Sequence, residues 1–135
     1  MNFNGKVLIV DDEAHIRKYV SLILRTLGAP VIIEAGNGRD GFEAYQREQP
    51  DLVLMDVNMP VQDGLETLKQ IRAHDPEAVV IMLTSLASRQ VIEEAAQHGA
   101  VFYLRKDTSR DEIVTQLRAI LGEIFETGDP SPSAP

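Results

Sequence analysis

The chain has 135 residues, of which 44% are hydrophobic and 25% charged. That suits one domain with a single sizeable core, and no apolar run approaches the length of a membrane span. With 21 acids against 13 bases the net charge is -8, which argues against the domain itself gripping nucleic acid, and the absence of cysteine excludes disulfides, thiolate metal sites and thiol nucleophiles.

The first residues, Met1 to Lys6, have no basic-then-apolar signal pattern, so a cytoplasmic protein is expected. Val7–Val10 is then a continuous apolar run, as expected of a strand buried on both faces of a parallel sheet. Ile16, Val20, Ile23, Leu24 and Leu27 follow at helical spacing and predict a first helix, stopped by Gly28 and Pro30. A second strand is expected over Val31–Glu34 and a second helix over Gly38–Glu48, followed by Pro50. Leu52–Met55 predicts the third strand. A third helix over Gly64–His74 is announced by Asp63 and Glu66 at capping-box spacing and closed by Pro76. Val79–Leu83 predicts the fourth strand and Ser88–His98 the fourth helix, with Gly99 suited to a left-handed helix end. Val101–Leu104 predicts the fifth strand. Ile113, Leu117, Ile120, Leu121 and Ile124 form the apolar stripe of a fifth helix, with Ser109 and Glu112 at capping-box spacing.

Five strand–helix units with right-handed crossovers predict an α/β fold, a single doubly wound parallel sheet of five strands with helices on both faces. The domain is expected to occupy residues 1–126. The Gly-, Ser- and Pro-rich segment 127–135 is expected to be a disordered tail.

In such folds ligands bind beyond the carboxyl ends of the strands. Asp11, Asp12 and Glu13 follow the first strand, Asp56 the third, Thr84 and Ser85 the fourth, and Lys106 the fifth. Each has an ordinary explanation. Asp11 and Asp12 suit a helix N-terminus, Asp56 a turn, Thr84 a strand end and Lys106 a solvated surface. Those explanations must all hold at once, each at the same edge of one sheet, whereas a single chemistry accounts for them together. Converging carboxylates repel unless a cation sits among them, and an all-oxygen set favours Mg²⁺ over zinc. An aspartate can act as nucleophile and form an aspartyl phosphate. Lys106 can pair with phosphoryl oxygens, and the Thr84 hydroxyl can donate to them.

The stretches Val7 to Glu13, Leu54 to Gly64, Leu83-Thr84-Ser85 and Gly99 to Lys106 resemble the response-regulator receiver family of two-component signalling, over about Lys6 to Glu123. The resemblance implies the flavodoxin-like strand order 2-1-3-4-5. It implies that Asp56 accepts phosphate from a phosphohistidine on a sensor histidine kinase or phosphotransfer protein. Asp12 would ligate Mg²⁺ directly, Asp11 through water, Asp56 as a further ligand, and the Asn58 carbonyl would complete the set. Lys106 would bind the phosphoryl oxygens. Thr84 would move toward the phosphate and Tyr103 would change rotamer with it. Phosphorylation would then rearrange the face formed by the fourth helix, fifth strand and fifth helix, where a downstream protein or a second copy of the chain binds. In this family the first helix and the loop after the fifth strand choose the kinase, which points here to His15, Lys18 and Asp107.

Two positions depart from the commonest pattern. Asp107 follows Lys106 where much of the family has a cis-bonded proline, so a trans bond is expected. A Lys-Asp pair resembles receivers that precede helix-turn-helix DNA-binding domains, so the chain either stands alone or is the N-terminal part of such a regulator. Leu86 is expected to limit attacking water and slow phosphate hydrolysis. Other classes fit less well. An aspartyl-nucleophile phosphatase of the haloacid dehalogenase kind has a second acid two residues after the nucleophile, where this chain has Asn58. An unphosphorylated interaction module would not need the complete acidic set with Lys106. His15, His74 and His98 have no metal-ligand spacing.

Overall fold

A computed structural model describes residues 2–85 and 88–125. The elements alternate without exception. They are β1 (Lys6–Val10), α1 (Ala14–Arg25), β2 (Val31–Ala35), α2 (Gly38–Glu48), β3 (Leu52–Met55), α3 (Gly64–His74), β4 (Val80–Thr84), α4 (Arg89–Gln97), β5 (Phe102–Arg105) and α5 (Arg110–Phe125). All five strands are parallel, in the order β2-β1-β3-β4-β5 that the family resemblance implied.

Side chains of a strand alternate between faces, and the two cores follow that alternation. Val7 and Ile9 of β1, Leu52 and Leu54 of β3, and Ile81 and Leu83 of β4 pack with Val20, Ile23 and Leu24 of α1 and Ile113, Leu117 and Leu121 of α5. Leu8, Val10, Val53, Met55, Val80 and Met82 point the other way, onto Ala44 and Tyr45 of α2, Leu68 and Ile71 of α3, and Ala95 of α4. Thus α1 and α5 cover one face and α2, α3 and α4 the other. Apart from Lys6 at the start of β1, the three central strands are buried, which is why they read as apolar runs. The edge strands β2 and β5 are half-exposed instead, with Val31 and Phe102 facing solvent.

Caps fix several boundaries. Asp63 Oδ1 accepts from Glu66 N–H at 2.9 Å, and Ser109 Oγ from Glu112 N–H at 3.3 Å, as the capping spacing predicted. Ser88 is the N-cap of α4 and His98 its C-cap, so that helix is one residue shorter at each end than the expected span. Gly99 has φ +97°, the left-handed conformation expected of it. β4 and β5 each sit one residue later than expected. Val79 and Val101 are apolar, but the ladder pairs Thr84 with Arg105 and so extends through two polar ends. Thr84 is therefore the last residue of β4 and not the first of the following loop. Among the described residues no peptide bond is cis, including Lys106–Asp107, and no helix is long and apolar enough to cross a membrane.

Candidate functional site

Strand register builds the site. Val10 pairs with Met55, so Asp11 and Asp56 leave adjacent strands side by side. The ladder continues past them. Asp56 N–H donates to the Val10 carbonyl at 3.0 Å, Asp11 N–H to the Ala35 carbonyl at 3.1 Å, and Lys106 N–H to the Thr84 carbonyl at 3.0 Å. Backbone bonds thus set the starting points of all three side chains before any of them touches another.

Those side chains then converge. Lys106 Nζ lies 2.7 Å from Asp11 Oδ2 and 3.1 Å from Asp56 Oδ2, with Glu13 Oε1 at 3.6 Å. Asp11 and Asp56 are only 2% and 5% exposed, so two carboxylates share a buried wall with one ammonium between them. Asp12 is exposed at the rim. One carboxylate oxygen from each of Asp11, Asp12 and Asp56 falls within 4.8 Å of the others, a donor set able to hold a metal ion.

Local hydrogen bonds orient the acids. Asp56 Oδ1 accepts from the N–H groups of Val57 at 2.8 Å and Asn58 at 3.4 Å, leaving Oδ2 toward Lys106. Asp11 Oδ1 accepts from Glu13 N–H at 2.9 Å. Burial is the largest influence on Asp11 and lifts its carboxyl above the usual carboxylate value, against the pull of the Lys106 hydrogen bond and the Glu13 amide. Burial also opposes the charge on Lys106. There the hydrogen bonds and charges of Asp11 and Asp56 outweigh it and raise the ammonium's pKa. Both shifts are upward, so the surroundings favour the charge on Lys106 and disfavour the charge on the more deeply buried Asp11. The cluster therefore carries unbalanced negative charge, and a divalent cation would relieve it.

Asn58 is exposed in the loop after Asp56, and Thr84 is fully buried. Tyr103 pairs with Met82 in the β4–β5 register, two residues before Thr84, so both side chains lie on the α4 side of the sheet. The Tyr103 hydroxyl is buried and has no hydrogen-bond partner among the described residues. Burial first, and then the Asp56 charge, push its phenol above the ordinary value. A buried phenol without a partner is costly, and it marks a side chain with something to gain from another arrangement. Leu86 lies outside the described residues, as does the segment 127–135.

Several contributors were not read from the sequence. Arg17 donates to the Asp11 carbonyl at 2.7 Å and to Glu34 Oε1 at 2.8 Å, tying α1 to the ends of β1 and β2. Its partners lie 6 and 17 positions away, so no helical spacing signals them. Gly64 is packed so closely that a Cβ there would overlap the Asp56 carbonyl oxygen, which lets α3 start directly under the site. Between them Gln62 N–H donates to the Pro60 carbonyl at 2.7 Å across Val61, whose φ is +69°. This is a γ-turn at a β-branched residue, a strained conformation. Val61 is also 68% exposed, so it gains little from packing. Val61→Asn is expected to raise unfolding stability by about 1 kcal/mol, because asparagine tolerates positive φ. An unchanged or lower urea midpoint would show that the turn is not under strain.

A parallel five-stranded α/β sheet with an acid–lysine cluster at its carboxyl edge defines the class: a flavodoxin-like domain with room there for a cation and an anion. The family model described as the response regulator receiver domain matches residues 7–118, and the chain belongs to that family. The chemotaxis protein CheY of Bacillus subtilis is 35% identical over 116 residues, covering 86% of this chain and 97% of that protein. The transcriptional regulatory protein LnrK of the same organism is 38% identical over 116 residues, covering 85% of this chain and 53% of LnrK. Among solved structures, the CheX–CheY–BeF3–Mg complex from Borrelia burgdorferi contains a chain similar to this one. It has a TM-score of 0.81 and 28% identity, covering 86% of this chain and 88% of that one.

Proposed function

We propose that this receiver domain accepts a phosphoryl group on Asp56 from a phosphohistidine of a sensor kinase or phosphotransfer protein, and that the modification switches a protein-binding face. The observation that carries this reading is the Lys106 ammonium held between Asp11 Oδ2 and Asp56 Oδ2, with Asp12 completing an oxygen cluster beside it. Asp56 Oδ2 attacks phosphorus. A P–O bond forms, the P–N bond to the donor histidine breaks, and the leaving nitrogen keeps the electron pair. Lys106 then donates to a phosphoryl oxygen.

The all-oxygen set of Asp11, Asp12 and Asp56 and its surplus negative charge fit Mg²⁺; Asp12, Asp56 and the Asn58 carbonyl would hold it, with Asp11 acting through water. When bound, the ion neutralises charge on the transferring phosphoryl group. Thr84 and Tyr103, on one face of adjacent strands, pass the change to α4, β5 and α5. Partly exposed apolar residues there, Ile92 and Phe102 among them, suit a protein target or a second copy of the chain. His15, Lys18 and Asp107 are all exposed, as kinase-contacting residues must be.

A second reading, the receiver portion of a DNA-binding regulator, draws support from the match to half of LnrK and from Asp107 after Lys106. It shares the same phosphoacceptor chemistry.

With acetyl phosphate and Mg²⁺ the protein is expected to take up one hydroxylamine-labile phosphoryl group, and chelation is expected to slow uptake at least about tenfold. No incorporation with Mg²⁺ present would overturn the assignment. Amide exchange that leaves α4, β5 and α5 unchanged after labelling would remove the proposed output face.

A further inference from the structure

An ammonium has three hydrogens to donate. For Lys106 two buried carboxylates lie within hydrogen-bonding distance, Asp11 at 2.7 Å and Asp56 at 3.1 Å, and Glu13 stands farther off at 3.6 Å as an ion-pair partner. Glu13 differs from the other two. Its side chain is 50% exposed, against 3% and 6% for Asp11 and Asp56. It occupies the N-cap position of α1, yet its side chain makes no capping hydrogen bond. Its backbone is nonetheless pinned beside the cleft through Glu13 N–H and Asp11 Oδ1. The side chain takes no part in capping the helix, and its charge lies beside Lys106.

An incoming phosphoryl group needs a donor from Lys106. Withdrawing the ammonium from Asp11 or Asp56 would strand a buried carboxylate, which is strongly unfavourable. Withdrawing it from Glu13 gives up a long, solvent-screened contact of little strength. The Glu13 contact is therefore the exchangeable one.

Building on the assignment of Asp56 as phosphoacceptor, we propose that Glu13 is a gating counter-ion for Lys106. It stands beside the ammonium as an ion-pair partner until a phosphoryl oxygen takes its place, and its charge makes the site discriminate among phosphodonors by their net charge. Glu13 is a positioning residue. It acts through Lys106 and through the field at the mouth of the cleft, and it touches no reacting atom. Its carboxylate adds to the charge of Asp11, Asp12 and Asp56, and a fixed charge repels a like-charged ligand in proportion to the ligand's own charge. A dianionic donor such as acetyl phosphate thus meets about twice the opposition met by phosphoramidate, whose net charge near neutral pH is about -1.

The test compares wild type with Glu13→Gln, which keeps the shape and removes the charge. Initial rates of Asp56 phosphorylation are measured with saturating Mg²⁺, with each donor, at low and at moderate ionic strength. Acetyl phosphate is expected to react about three- to tenfold faster with the variant at low salt, and phosphoramidate about two- to threefold faster. Added salt is expected to narrow both gains. Equal gains for the two donors, no gain, or a fall would overturn the proposal, because a purely structural role for Glu13 cannot depend on donor charge. If wild type is labelled normally and the variant shows no donor dependence, the gate fails alone. If wild type takes phosphate from neither donor, the Asp56 assignment fails and the gate falls with it.

Discussion

Asp56→Asn is expected to lose covalent labelling by acetyl phosphate, by at least about a hundredfold, while remaining folded. The amide is nearly isosteric but is not a nucleophile at phosphorus. The Val57 and Asn58 N–H groups that orient Asp56 Oδ1 can still donate to the amide oxygen. Substitution removes one of the two buried carboxylates that face Lys106, so repulsion with Asp11 falls while one ion pair is lost. These effects oppose, and unfolding stability should stay within about 1 kcal/mol of wild type. The check is phosphate incorporation with circular dichroism on the same samples. Full-rate labelling in the folded variant would move the acceptor to another residue.

Lys106→Met is expected to have the largest effect on stability, a loss of about 2–4 kcal/mol when divalent cations are chelated. Methionine keeps much of the packing of the aliphatic stem but removes the ammonium between Asp11 and Asp56. Both carboxylates are left buried and facing each other. Mg²⁺ is expected to restore more stability to the variant than it adds to wild type, since it would be the remaining counter-charge. The pH dependence has a definite sign. Burial already raises the folded pKa of Asp11 above its ordinary 3.8. A carboxyl with a raised folded pKa binds more protons folded than unfolded, so stability falls as pH climbs from the unfolded value through the folded one. Removing Lys106 raises that carboxyl further. The variant's deficit should therefore open as pH rises from about 4 and level off above the folded value. Urea unfolding across this range, with chelator and with Mg²⁺, measures it. A deficit below about 1 kcal/mol, or one indifferent to Mg²⁺, would mean that Lys106 does not balance the cluster.

Arg105 and Asp107 flank Lys106 and form a two-pronged pair, at 3.0 and 2.8 Å, on the surface of the loop. The Lys106–Asp107 bond between them is trans, the default where no proline follows. Asp107 is held below the usual carboxylate range first by the hydrogen bond from Arg105. Both side chains are exposed, so the pair shapes the loop more than it stabilises the fold.

Much of the architecture was legible because its signals are local. The boundaries of α2, β3 and α3 were read residue for residue. The Asp63 cap marks the start of α3, and Pro50 and Pro76 follow the ends of α2 and α3. β4 and β5 were displaced by one residue because apolar character marks burial, whereas the ladder is defined by hydrogen bonds that run on through Thr84 and Arg105. The membership of the site was legible as well, since a parallel sheet with right-handed crossovers delivers the carboxyl end of every strand to one edge. Strand–helix alternation placed Asp11, Asp56, Thr84 and Lys106 on one edge, while the strand order that sets Asp11 beside Asp56 came from the family resemblance.

The sequence by itself thus determined the βα alternation, the buried character of β1, β3 and β4, and which side chains gather at the edge. Only the tertiary structure decided how they divide the charge. The division sets Lys106 against Asp11 and Asp56, leaves Asp12 at the rim, turns Glu13 inward from a cap position, puts Arg17 under the Asp11 carbonyl and strains the turn at Val61. The reason is one of range. Periodicity, caps and turn residues act over a few positions, but ion-pair choice depends on ångström-level distances and burial, set by strand register between segments that lie 21 to 50 residues apart.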